Sequence, residues 1–302
     1  MLRINEKPYE FMVLPTVQKV WIEGKGMLLW AALFFVEFGA SLFLVSSFFN
    51  CLWGQVAGWL IAGVLGGGCH FLFLGHPFRV YLAIRRPKSA WISRGLWVIS
   101  LFQFLGLVHL ILAYFSSPMF WLMVAADVMA VAAVLYGGYE LADVKSIPTW
   151  HSSLLPIQLF ARSFFVALGV LWVAYLMLGQ ETIAYGINAK KWLNAVVLIN
   201  IFLFLTYLIN LANEEGKKRL ALTMMLKGDL KLLFWPWVGI GGVIIPLLIV
   251  TLSLSIGVAS SPFGVLLIAV LLQFIADPVM RYCMMRSGYY PALLPGWRSE
   301  AR

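Results

Sequence analysis

The sequence predicts an all-α membrane protein, a polytopic bundle of eight spanning helices expected to form two four-helix bundles. Three observations lead there. The chain has 302 residues, of which 62% are hydrophobic and only 12% charged, with a mean hydropathy of +0.89. A soluble domain of this length carries about a quarter charged residues, and this much apolar surface has no arrangement in water alone. The apolar residues also fall in eight stretches, each long enough to cross about 30 Å of hydrocarbon. Finally, the basic residues gather in alternate loops. Of the 22 Lys and Arg, only Lys190 and Lys191 lie in the loops of the opposite set. That bias predicts that both termini and the basic loops face the cytoplasm.

The elements follow in order. Residues 1–26 are expected as a cytoplasmic N-terminal segment. Its charge is mixed and Pro8 and Pro15 interrupt it, so it does not read as a signal peptide. Spans near 27–50, 55–75, 95–115 and 119–141 make up the first bundle, 27–141. A connecting loop, 142–154, follows. Spans near 155–179, 192–212, 232–257 and 263–283 make up the second bundle, 155–283, and 284–302 is a cytoplasmic tail. Helix is the only reading for these spans, because an open strand edge cannot sit in lipid. The two halves show no sequence repeat, so the division rests on spacing.

Composition also bounds chemistry. The net charge of +9 lies in short loops, where it reports topology and contact with lipid headgroups rather than nucleic acid. Cys51, Cys69 and Cys283 are far apart and form no CxxC, so neither an iron–sulfur cluster nor a structural zinc site is expected in this chain.

Several polar residues fall inside the spans, where they need a cavity, a partner or water. Glu37 lies near mid-membrane in the first span, Asp127 within the fourth, and His109 in the outer half of the third. These three are candidates for a proton path across the membrane; the plainer alternative is protonated acids hydrogen-bonded between helices. Arg162 lies inside the fifth span. Glu140 and Asp143, at the cytoplasmic end of the fourth, are its expected partners, unless it snorkels to the lipid surface. Tyr136 and Tyr139, at the same end, could donate hydrogen bonds at headgroup level or belong to an aromatic belt. His70 and His109 could in principle ligate a haem. They are expected in opposite halves of the membrane, so no haem is predicted.

The segment 74–95, LGHPFRVYLAIRRPKSAWISRG, sets Arg79, Arg85, Arg86, Lys88 and Arg94 in a frame of Gly75, Pro77, Pro87, Ser89, Trp91 and Gly95. Topology requires charge but no fixed turn, so the frame points to a docking surface. The segment resembles the signature of the NrfD/PsrC family, the membrane subunits of polysulfide reductase-like respiratory complexes. Phe73 and His76 stand where that family usually has histidine and arginine. Tyr136-Gly137-Gly138-Tyr139, Trp150 through Pro156, Gly239 through Pro246, and Arg281-Tyr282 with Ser287-Gly288 resemble further family motifs, so the likeness covers most of the chain.

The resemblance implies a quinone-binding anchor that carries neither haem nor cluster. It would bind menaquinone or ubiquinone as substrate. Its expected partners are a ferredoxin-like four-cluster iron–sulfur subunit, a molybdenum or tungsten catalytic subunit, and membrane lipid. Tyr136, Tyr139, Arg162, His70 and Trp30 are the expected quinone-site residues. Arg79, Arg85, Arg86, Trp91 and Arg94 are expected to dock the iron–sulfur partner. Together with the charge bias, the resemblance implies a prokaryotic cytoplasmic membrane with the catalytic subunits on the cytoplasmic side, as in cytoplasmic sulfite dehydrogenase-type or formate-oxidising complexes. Two other readings stay open: an ion-coupled secondary transporter, which would carry matching helix breaks in both halves, and a haem b subunit.

Overall fold

Nine helices account for nearly all of the regular structure in a computed structural model that describes residues 12, 14–76, 82, 91–115, 117–213, 217–257 and 262–293. They are α1 (Gly26–Phe48), α2 (Leu52–Phe73), α3 (Trp91–Tyr114), α4 (Phe120–Ala142), α5 (Leu155–Met177), α6 (Ala189–Asn213), α7 (Lys217–Leu226), α8 (Lys231–Ile256) and α9 (Phe263–Arg286). All except α7 are long and apolar enough to cross a membrane. The chain is a multi-pass α-helical membrane protein.

The eight spans lie within a few residues of the sequence-derived positions. The 213–231 segment, expected as a loop, instead contains α7. Its sequence, KKRLALTMML, is built from good helix formers. Tertiary contact completes it, because Met225 is buried with Leu211 and Phe234.

Two spans are not wound as α-helix throughout. Ile61–Gly67 in α2 and Trp235–Ile244 in α8 are π-helical. Pro236, which has no N–H to donate, stands in the first turn of the second. The widened turns fall in the second and seventh spans, which are not counterparts in a four-plus-four repeat.

Helix α1 is the axis of the molecule. It packs on α2, α4, α5 and α9, and 72% of its apolar window is buried, against 17% for the lipid-facing α2. Close approach of α1 and α2 is possible because a β-carbon on Gly39 or Gly58 would run into the backbone of the other helix. Helix α3 lies on α2 and α4. In the second half α5 packs on α6 and α9, and α8 on α9 and α6. The halves meet where α1 contacts α5 and α9 and where α4 contacts α5.

Four two-residue strands close the ends: β1 (Thr16–Val17), β2 (Thr182–Ile183), β3 (Ile187–Asn188) and β4 (Tyr289–Tyr290). β2 and β3 form a hairpin between α5 and α6. β1 pairs antiparallel with β4, and the Gln18 N–H donates to Gly288 O at 2.9 Å. The two terminal segments therefore meet at one end of the bundle, as an even number of crossings requires.

Candidate functional site

Two groups of residues converge at the end of the bundle that holds the terminal strands. The first is an ion cluster inside the membrane-spanning region. Asp277 and Arg281 lie one turn apart on α9. Asp277 Oδ1 accepts from Arg162 of α5, at 2.9 Å from Nη2 and 3.0 Å from Nε. Asp277 Oδ2 accepts from Arg281 Nε at 2.8 Å. The other two nitrogens of Arg281 reach Glu37 of α1 and, at 2.7 Å, Ser163 Oγ of α5. Arg162 also lies 5.3 Å from the centroid of the Phe204 ring.

This arrangement corrects the sequence reading of Arg162. Its partner is Asp277, 115 residues on in the chain, and not Glu140 or Asp143. Nor does it snorkel, since it is 8% exposed. Two acids and two guanidiniums cancel in charge, which is what makes their depth tolerable. Beside Arg162 is a cavity of about 10 Å³, lined in part by Asn200, Val238, Gly242 and Gln273. That is roughly the space of one water, and Asn200 Oδ1 has no protein partner.

The second group is the Tyr136-Gly137-Gly138-Tyr139 corner of α4, where each residue meets a different element. The Tyr136 ring fills the space beside Gly95 of α3, so that a β-carbon there would overlap it. Gly137 lets the Glu37 carboxyl lie against the α4 backbone, and Gly138 lets Pro156 of α5 do the same. Tyr139 stacks on Trp91, with centroids 5.2 Å apart and planes 4° apart. The Arg94 guanidinium sits 4.5 Å from the centroid of that indole.

The stacked pair walls a pocket of about 380 Å³, whose other lining includes Ala142, Asp143, His151 and Ser152. Its size suits the head of a small aromatic ligand. His151 Nδ1–H donates to Ala142 O at 2.8 Å, which leaves Nε2 as an acceptor in the neutral ring. Behind the pocket wall, Tyr136 has two polar neighbours. His70 lies with its ring centroid 6.3 Å away; its Nδ1–H donates to Gly66 O at 3.3 Å while Nε2 is unpartnered. The Glu140 carboxyl faces the Tyr136 hydroxyl one turn along α4.

The remaining candidates are placed elsewhere. Trp30 donates its indole N–H to Pro278 O at 3.0 Å and packs edge-on against Tyr282, away from the pocket. Asp127 accepts from Ser47 Oγ at 3.0 Å. His109 Nε2 lies 2.9 Å from Gln55 Oε1, near the start of α2. No hydrogen bond joins Glu37, Asp127 and His109 to one another. Gln55 and His70 stand at opposite ends of α2, about 20 Å apart at the rise of a helix, so the two histidines do not face one iron. Arg79, Arg85 and Arg86 lie outside the described residues.

Sequence reasoning passed over Asp277 and His151. The Asp277 signal was present in the sequence: an acid and a base four residues apart within an apolar span can pair along one helix face.

The scattered motifs meet in space. The buried Trp150 indole N–H donates to Met284 O at 3.1 Å, and its ring packs on Gly288. Compared with known families and curated proteins, the chain matches no family model and no curated relative.

Proposed function

We propose that this chain is a quinone-reactive subunit of a membrane oxidoreductase complex, passing electrons between an iron–sulfur partner and the quinone pool. The observation that carries this reading is the pocket walled by Trp91 and Tyr139. It lies at the loop end of α3 and α4, where a tailed ligand could enter from lipid. It offers a flat aromatic face for a ring and polar groups at its rim, with the buried Tyr136 behind them. Quinone reduction needs these features together with a proton source. The basic side is cytoplasmic in this reading, in a prokaryotic cytoplasmic membrane. Arg94, held over Trp91, stands where an acidic iron–sulfur partner would dock.

Purification from the native membrane in mild detergent tests it. Co-purification of a cluster-bearing ferredoxin-like subunit, with a broad iron–sulfur absorption spectrum, is the expected result, and its catalytic companion would name the substrate. A single polypeptide that neither carries iron with it nor binds quinone would overturn the proposal. It would favour an ion-coupled carrier, for which the buried Glu37–Arg281–Asp277–Arg162 cluster is the supporting feature.

A further inference from the structure

We infer that Glu140 is the proton-exchanging carboxyl of the pocket, linking the Tyr136 hydroxyl to Glu37 and the ion cluster behind it. The inference rests on the quinone reading above and adds a residue and a route to it.

Three observations carry it. Glu140 is 5% exposed, and its Oε2 has no hydrogen-bond partner. Its ionisable neighbours among the described residues include Tyr136, one turn back on α4, and Glu37 of α1. Among the described residues no cation pairs with it, and the guanidiniums of Arg162 and Arg281 are already matched by Asp277 and Glu37. A buried carboxyl without a countercharge is held with its proton on. A neutral acid with an open oxygen, one residue from the pocket wall, can give up a proton and take one back.

The groups also lie in a row. Tyr139 lines the pocket, Tyr136 and Glu140 follow on one face of α4, and Glu37 lies against the same helix at Gly137. From Glu37 the row runs through Arg281 and Asp277 to Arg162, and so to the small cavity with Asn200 and Gln273. It therefore crosses from α4 through α1 into the second half of the bundle. The Asp127–Ser47 and His109–Gln55 pairs lie off it.

The step balances as follows. A quinone becomes a quinol by taking two electrons, one at a time, from the partner's iron–sulfur donor, and two protons. Glu140 supplies one of these protons. A proton handed from the Tyr136 O–H through the wall at Tyr139 reaches a quinone oxygen, and Tyr136 receives the Glu140 proton in its place. Both protons come from water: one reaches the second quinone oxygen at the exposed rim beside His151, and one is taken up transiently by the Glu37 carboxylate and handed to Glu140, after which Glu37 returns to its pairing with Arg281.

The test uses the purified native complex with a short-tailed naphthoquinone. Quinone binding is measured first, by quenching of tryptophan fluorescence. Infrared difference spectra of oxidised minus reduced complex follow, in H2O and D2O. The expected result is a protonated-carboxyl band in wild type that is lost in Glu140→Gln and moved in Glu140→Asp. Turnover should fall about 100-fold in Glu140→Gln, the scale of losing a general acid, with the quinone Kd changed less than about threefold. A band that survives Glu140→Gln while quinone still binds overturns the inference and leaves the quinone reading standing. So does a band that disappears in Asp127→Asn instead. Failure of wild type to bind quinone overturns the quinone reading itself. If Glu140→Gln does not assemble, Glu140→Asp decides, since an unmoved band there overturns the assignment.

Discussion

The ring of Tyr136 occupies the volume that a β-carbon on Gly95 would fill. Gly95 closes the basic segment 74–95, and Tyr136 opens the Tyr-Gly-Gly-Tyr corner of α4. The contact joins two motifs far apart in sequence and fixes how α3 approaches the pocket wall. Gly95→Ala should therefore cost about 1–3 kcal/mol, as overpacking does. It should also displace Tyr136. Gly68→Ala, where nothing lies within 4 Å of the added carbon, is the control. Equal thermal stability of the two variants in detergent would contradict the packing described here.

The ion cluster makes a prediction about charge balance. Glu37→Gln leaves one surplus positive charge among the four groups, and Arg162→Gln leaves one surplus negative charge. Each should destabilise by about 3–5 kcal/mol, the scale of breaking a buried pair. The double variant restores neutrality and keeps the Asp277–Arg281 pair, whose Nε–Oδ2 distance is 2.8 Å. It should be more stable than the sum of the singles predicts, by about 0.5–3 kcal/mol. Strict additivity in denaturant unfolding would show that the charges do not act as a unit.

Quinone affinity should depend on the stacked wall. Trp91→Ala or Tyr139→Ala removes one aromatic face, worth about 0.5–1.5 kcal/mol beyond area burial. Binding of a naphthoquinone should weaken by about two- to tenfold in each. Trp30→Phe, which removes an indole N–H bonded to Pro278 O, should leave the quinone Kd unchanged. The outcome that would sink the site assignment is a loss of affinity in Trp30→Phe alone.

The charge bias makes a topological prediction. A cysteine at Thr223 on the exposed side of α7 should react with an impermeant maleimide only in inverted vesicles. One at Gln180, beside the β2–β3 hairpin, should react only in right-side-out vesicles. Both positions are exposed. The reverse pattern would invert the chain and move the pocket to the other side of the membrane.

The sequence by itself determined the spans, their number and the side on which the basic residues collect. Each of these follows from local composition: hydrocarbon thickness sets the length of a span, and headgroup and translocation chemistry set where lysine and arginine go. The sequence also marked Tyr136, Tyr139, Trp91, Glu37 and Arg162 as residues whose position needs explaining. It did not reveal who pairs with whom. Sequence proximity points Arg162 to Glu140 and Asp143, while its partner is Asp277 on the last span. The reason is physical. In water an apolar stripe shows which face of a helix turns inward, but these spans are apolar on every side and lipid sets no such face. Rotation about each helix axis, and the order of neighbours around α1, are decided by interhelical packing at positions such as Gly39, Gly58, Gly95 and Gly138. Only that packing brings Glu37, Arg162, Asp277 and Arg281 from three helices to one place, with the buried Glu140 beside Glu37.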